Sequence, residues 1–216
     1  MPLPMVHLGI AFRLAIPFDR FPSSAFLLGS IAPDAIHMRV GADSAAKQIV
    51  HLNEPPDTPE HGAIRELLHQ HSQMETPLLH FAAGYAAHLL ADRLWNRTIV
   101  QPMQARCATL MDAPALRERY YLETDQLDFN LYHQMPWRPQ AWELLERAVA
   151  PDFPPMLIAQ EVDLWRQQTL HWFNELKQEP KIVPHYITDS DIASYTHEAV
   201  DIIGQQFSTW DLYNYL

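Results

Sequence analysis

The run from Thr76 to Asn96 constrains what this chain can fold into more than any other. Thr76 suits a helix N-cap and Pro77 the first helical position, and about twenty residues follow with Gly84 as the sole breaker. The apolar residues Leu78, Leu79, Phe81, Tyr85, Leu89, Leu90, Leu94 and Trp95 lie almost all the way round the cylinder. That pattern predicts one long helix at the centre of a core rather than on its surface. His88 and Asp92 stand four apart, so they share a face one turn from each other and can reach the same ion; His80 and Gly84 continue the stripe toward the N-terminus. A carboxylate in an apolar helix is costly unless it is paired or bound to metal, so Asp92 requires a partner. Either a histidine that merely fixes the core or a metal ion meets that need.

The rest of the chain reads as helices around this one. Val6 to Ala15 suits a short buried helix with His7 in its first turn, and Pro17 and Pro22 break the chain after it. Ser23 and Ser24 cap a second helix through Ile31, ended by Pro33, because the residue before a proline is pushed out of the helical region. Asp34 is thereby expected on rigid backbone just past a helix end, as a turn residue or as a ligand. Asp43 or Ser44 starts a third helix through Leu52 that bears His51, and the prolines of 53–60 make a loop. His61 to His71 is expected as a covering helix with His61, His69 and His71 in solvent. Pro114 opens a helix to about His133 with Tyr121, Asp125, Asp128 and Tyr132 on one side, Asp125 being singled out as the carboxylate that leaves the exposed face. A helix through Val149 follows the turn at 136–139, Pro155 begins a long one through about Gln178, and Thr188 to Asp191 resembles a capping box for a last helix through Phe207. No run alternates as a strand does. The expected fold is all-α, a single-domain multi-helix bundle over residues 1–216.

Composition narrows the function. A net charge of -11 with only 15 Lys and Arg, and no basic run, argues against an extended nucleic-acid surface, although a hydrolase of small phosphoesters needs none. No stretch approaches about 18 apolar residues and the N-terminus has no signal-peptide pattern, so the expectation is a cytoplasmic protein without a transmembrane segment. Cys107 alone can build neither an internal disulfide nor a thiolate metal site, and reads as a small buried hydrophobe. Any metal must therefore be held by imidazole and carboxylate. Eight of the 12 histidines fall at or before His88, which places the chemistry in the N-terminal half.

His7, Asp34, His51, His88 and Asp92 form an ordered set of imidazoles and carboxylates on four successive elements, each beside apolar residues. Three or four nitrogen and oxygen ligands with a vacant position suit catalytic zinc, and a bridging carboxylate lets two ions sit about 4 Å apart. On these residues the chain resembles the zinc-dependent phospholipase C and S1/P1 nuclease superfamily, most closely its shorter bacterial branch of predicted hydrolases. The matching segments are Pro4 to His7, Gly29 to Asp34, Lys47 to His51 and Gly84 to Asp92, the last being the most specific, so the likeness covers roughly residues 4–96.

The resemblance implies that Asp34, His51, His88 and Asp92 hold one zinc and that Asp92 bridges to a second ion bound by His7. It further implies attack of a zinc-activated water on a small-molecule or lipid-derived phosphoester, with Asp34 and Asp92 as the candidate catalytic carboxylates. Iron, manganese or nickel would accept the same donors. The chain departs from the family at two places. In the secreted members the mature amino terminus itself coordinates metal, whereas here His7 follows a short leader. Gln101 and Met103 also follow the central motif where the family has a histidine, and Tyr121 to Asp125 stands where it has a second His-x-x-x-acid helix. Asp125 is the candidate substitute ligand, with Tyr121 its neighbour, and His37 a candidate ligand or a group that orients one.

Three functions compete on this reading. A metal-dependent phosphoester hydrolase leads. A non-catalytic metal-binding or scaffold protein would instead have a closed four-ligand shell. An HD-type phosphohydrolase ranks last, since no adjacent His-Asp occurs in the chain. No basic amphipathic helix points to a membrane, so a lipid-derived substrate rests on the resemblance alone.

Overall fold

The structure is a computed structural model that describes residues 4–53, 61–71 and 74–216. In chain order the helices are α1 (Pro4–Ala15), α2 (Ser24–Gly29), α3 (Ser44–Val50), α4 (Gly62–His71), α5 (Thr76–Trp95), α6 (Gln101–Cys107), α7 (Ala113–Gln134), α8 (Arg138–Arg147), α9 (Ala159–His171) and α10 (Asp189–Thr209). Helix takes 74% of the chain and no strand forms among the described residues, which makes the fold all-α. No helix among them is long and apolar enough to cross a membrane.

The all-round apolar pattern of α5 has the predicted consequence. Every residue from Phe81 to Ala91 is buried, and Phe81, Tyr85 and Trp95 are among the largest fully buried side chains. Each such side chain contributes roughly 1.5–3 kcal/mol on leaving water. The helix start differs from the sequence expectation: Glu75 is the N-cap and makes no side-chain cap bond, and Thr76 is already helical. Nor does the helix stop at Asn96, because a π-turn, Asn96–Val100, carries the backbone on into α6.

What brings α2 against α5 is a pair of glycines. A Cβ on Gly84 would lie 2.0 Å from the Phe26 carbonyl oxygen, and one on Gly29 would lie 2.1 Å from that of Phe81. Only hydrogen at these two positions lets the backbones approach so closely. Gly84, read in the sequence as part of the His88–Asp92 stripe, thus serves packing.

Three other expectations are corrected. α2 ends at Gly29, and Asp34 lies inside a 3-10 helix, Ala32–Met38, with Pro33 in its first turn. Pro33 therefore opens a new turn instead of leading into loop, as suits its fixed φ and missing N–H. α9 begins at Ala159, not Pro155, because Phe153 and Leu157 exchange backbone hydrogen bonds (2.9 and 3.0 Å) and close a tight turn first. It ends at His171, with a π-turn, Trp172–Leu176, in place of its last turn. α4 forms as expected and His69 is exposed, but His71 is buried: its ring stacks on Phe153 and its Nδ1–H donates to the Leu67 carbonyl (2.7 Å). The loop expected over 53–60 lies, from residue 54 on, outside the described residues.

The C-terminal half is tied together by a carboxylate the sequence did not single out. Glu123 on α7 is fully buried and accepts the backbone N–H groups of His185 (3.0 Å), Tyr186 (2.9 Å) and Ile187 (2.9 Å), just ahead of the Thr188 capping box of α10. Glu123→Ala removes the acceptor of three backbone donors, of which the Ile187 amide is buried, so it should destabilise the protein by about 3 kcal/mol. Urea denaturation would show it as a lowered midpoint at unchanged slope; a shift below about 1 kcal/mol would mean that water reaches those amides.

Candidate metal centre

The site is assembled from four elements, and each imidazole with a backbone acceptor is oriented by it. On α5, the His88 Nδ1–H donates to the Ser30 carbonyl oxygen (2.9 Å), which leaves the Nε2 lone pair facing Asp92 Oδ2 at 3.5 Å. His51 is the C-cap of α3, and its Nδ1–H donates to the Lys47 carbonyl (3.1 Å). Its Nε2 sits 3.5 Å from Asp34 Oδ1 and 3.8 Å from Asp92 Oδ2. The Tyr85 hydroxyl pins the preceding turn by donating to the Val50 carbonyl (2.6 Å). His7 comes from the first turn of α1, with Nε2 3.5 Å from Asp92 Oδ1 and its ring stacked on His88 at 3.8 Å between centroids. That turn is held by Asp128 of α7, which accepts the Met5 N–H (3.0 Å).

These contacts are not a hydrogen-bond network. His7 Nε2, His51 Nε2, His88 Nε2, Asp34 Oδ1 and Asp92 Oδ1 are all buried without a hydrogen-bond partner among the described residues. A nitrogen–oxygen hydrogen bond spans roughly 2.7–3.2 Å, shorter than the separations seen here. Two donors about 2.0–2.1 Å from one tetrahedral ion lie about 3.3 Å apart, close to what is found. Two groups, His7–His88–Asp92 and Asp34–His51–His88, each offer ligand atoms within 4.8 Å of one another. Borderline-soft imidazole nitrogens with carboxylate oxygens are donors that zinc accepts. Leaving five buried polar atoms unpaired would cost several kcal/mol, so the donor set fits a bound cation better than a structural pair.

The electrostatics follow from burial and crowding. Burial lowers the His7 imidazole to about 4, and the stacked His88 acts in the same direction against the pull of Asp92. His88 is also penalised by burial, yet Asp92 and Asp34 outweigh this and hold it above its ordinary value. Burial works to raise the Asp92 carboxyl, but His88 and His7 hold it well below the usual carboxylate range; for Asp34, the facing His51 and His88 similarly outweigh burial. Two rings stacked this closely cannot both take a proton cheaply. His7 therefore stays neutral, with a lone pair free, across the physiological range.

One side of the cluster opens onto a pocket of about 670 Å³, lined by Asp34, His51 and Asp92 among others. Five of the sequence-predicted ligands are thus brought together, and two are not. Asp125 is tied to Lys177 (Nζ–Oδ2 2.7 Å) and belongs to neither group. Asp125 does leave the exposed face of α7, its side chain being 14% exposed, but it turns to Lys177; Asp128, three residues on, is fully buried, and burial pushes its carboxyl well above the ordinary range. His37 edges the pocket, with its ring 6.1 Å from that of Trp165, but lies outside both groups, and Tyr121 is a pocket wall. His80 pairs with Ser23 Oγ (2.8 Å). The sequence reading missed the carbonyls of Ser30 and Lys47 and the carboxylate of Asp128. The Lys47 contact was foreseeable from the four-residue spacing to His51 on one helix; the other two arise from tertiary packing.

No family model matches the chain, and no curated protein or solved structure gives a significant match to it.

Proposed function

We propose that this chain is a metal-dependent hydrolase of phosphoesters whose site holds two divalent ions, zinc by its donor set. The observation that supports this reading is the convergence of buried, unpaired nitrogen and oxygen atoms at ligand-to-ligand spacing beside an open pocket. The same residues are those implied by the resemblance to the zinc-dependent phospholipase C and S1/P1 nuclease superfamily. Asp34, His51, His88 and Asp92 would hold one ion and His7 the other. Asp92 would bridge the two, a reading supported by one of its oxygens facing His7 while the second faces His51 and His88. What such ions supply is Lewis acidity, which polarises a phosphoryl oxygen and brings the ionisation of water toward neutral pH. The protein's part is orientation: the Ser30 and Lys47 carbonyls fix the tautomers of His88 and His51 so that Nε2 is the donor atom of each. Asp34 and Asp92 stay anionic at working pH and supply the negative charge that retains the ions. α1 and α5 bury apolar residues on either side of His7 and His88, Val6, Leu8, Ala87 and Leu89 among them.

Elemental analysis of untagged protein purified without chelator, with assays on p-nitrophenyl phosphate and on its bis ester, tests the proposal. Two ions per chain with turnover would support it, metal without turnover would favour a structural site, and protein without metal would sink it. Metal removal should also be visible in stability. An ion present at about 1,000 times its dissociation constant adds about 4 kcal/mol, which in a chain of this size is roughly 8–16 °C in Tm. A chelator that leaves the melting curve unmoved would speak against an ion bound by the folded state.

A further inference from the structure

We infer that the site takes a phosphomonoester with a polar or aromatic leaving group, and that Lys47 is the side chain that selects it over a diester. The inference rests on the hydrolase reading above. Among the described residues lining the pocket, Asp34 and Asp92 are the sole carboxylates, although the chain as a whole carries a charge of -11. Those two offset half the charge of a pair of divalent ions, and Lys47 and Arg93 on the wall add to the excess. A compact cationic pocket in an acidic protein favours the most highly charged small anion available. A phosphomonoester carries about -1.5 to -2 at pH 7 and three terminal oxygens, whereas a diester carries about -1 and two.

The two cations differ in what they can still do. Arg93 already donates to the Leu52 carbonyl (3.1 Å) and meets His61 Nδ1 (2.9 Å), so it contributes a fixed charge. Lys47 is exposed, and its ammonium makes no ion pair or hydrogen bond among the described residues. Its carbonyl is the group that orients His51, so the root of the side chain is fixed beside the ligands while its tip, a mobile point charge, is free to meet a terminal oxygen. The remaining walls mix hydroxyl and amide groups (Ser44, Gln48, Asn96) with apolar and aromatic surface (Leu89, Trp165, Tyr121), which suits a polar or aromatic group.

Calorimetric titration of zinc-loaded protein with phenyl phosphate and with diphenyl phosphate tests this, alongside turnover of p-nitrophenyl phosphate and its bis ester. Phenyl phosphate should bind about tenfold tighter than diphenyl phosphate, the scale of one charge-assisted hydrogen bond, and Lys47→Gln should lose most of that preference with zinc content unchanged. Equal or tighter binding of the diester, or an equal loss for both esters in the variant, would overturn the monoester assignment and leave the hydrolase reading standing. If zinc is held and neither ester binds or turns over, the hydrolase reading falls and this inference with it.

Discussion

Asp92→Asn should remove at least one metal ion per chain and lower turnover about 10³-fold or more, while the helix content of the protein stays as it was. The substitution nearly keeps the shape of the side chain, so packing is not the variable. What it removes is the single charge that addresses all three imidazoles, through Oδ1 to His7 and through Oδ2 to His51 and His88. An amide can also present an NH₂ where the cation requires an oxygen lone pair, which turns an attraction to the ion into a repulsion. Losing one well-placed electrostatic contact at a reacting centre commonly costs about 2.7–4 kcal/mol of barrier, hence the rate factor. Asp125→Asn is the matched control. It removes a carboxylate of α7 that is paired with Lys177, so metal content should not move. Equal metal in Asp92→Asn and the parent, or a loss in Asp125→Asn, would contradict this assignment of ligands.

The contrast between Asp92 and Asp125 shows which parts of the site can be read from a sequence. Asp92 was legible because its surroundings are local: an apolar helix flanks it on every side, and His88 one turn away supplies a partner by geometry alone. His7 was legible for a related reason, since it lies in a short apolar helix that is almost wholly buried; His51 ends α3, which buries Val50 alone, so its surroundings carried no such signal. On α7 the apolar residues are fewer and the inward face is set by neighbours, so no local signal separated Asp125 from Asp128 or marked Glu123 as buried. The buried ends of Asp128 and Glu123 meet backbone amides more than sixty residues away in sequence, which no periodicity encodes. The same limit explains Pro155. A proline suits the first turn of a helix, but the turn that Phe153 closes with Leu157 took precedence over that preference. The all-α class itself followed from the absence of any alternating run, a property of composition that tertiary contacts do not reverse.

Gly84→Ala, the addition of a single methyl group, should be among the most damaging substitutions in the chain. The new Cβ would fall 2.0 Å from the Phe26 carbonyl oxygen and 2.9 Å from the Ser30 nitrogen, and both are backbone, so no side chain can turn aside to admit it. α2 would have to move away from α5 by about an ångström or more, opening the centre of a close-packed core. A cost of about 3 kcal/mol or more is expected, at the upper end of what overpacking produces, read as a lowered urea midpoint. The displacement also has a chemical consequence that simple destabilisation lacks. Ser30, whose carbonyl fixes the His88 tautomer, and Asp34 both follow directly from α2, so metal affinity should fall even under conditions where the variant is fully folded. Gly41→Ala separates the two effects: Gly41 has φ of 75° but open space around it, so its methyl should cost about 1 kcal/mol in backbone strain and nothing in metal binding. If Gly84→Ala unfolds within about 1 kcal/mol of the parent and keeps its metal, the close approach of α2 and α5 is not what aligns the two halves of the ligand set.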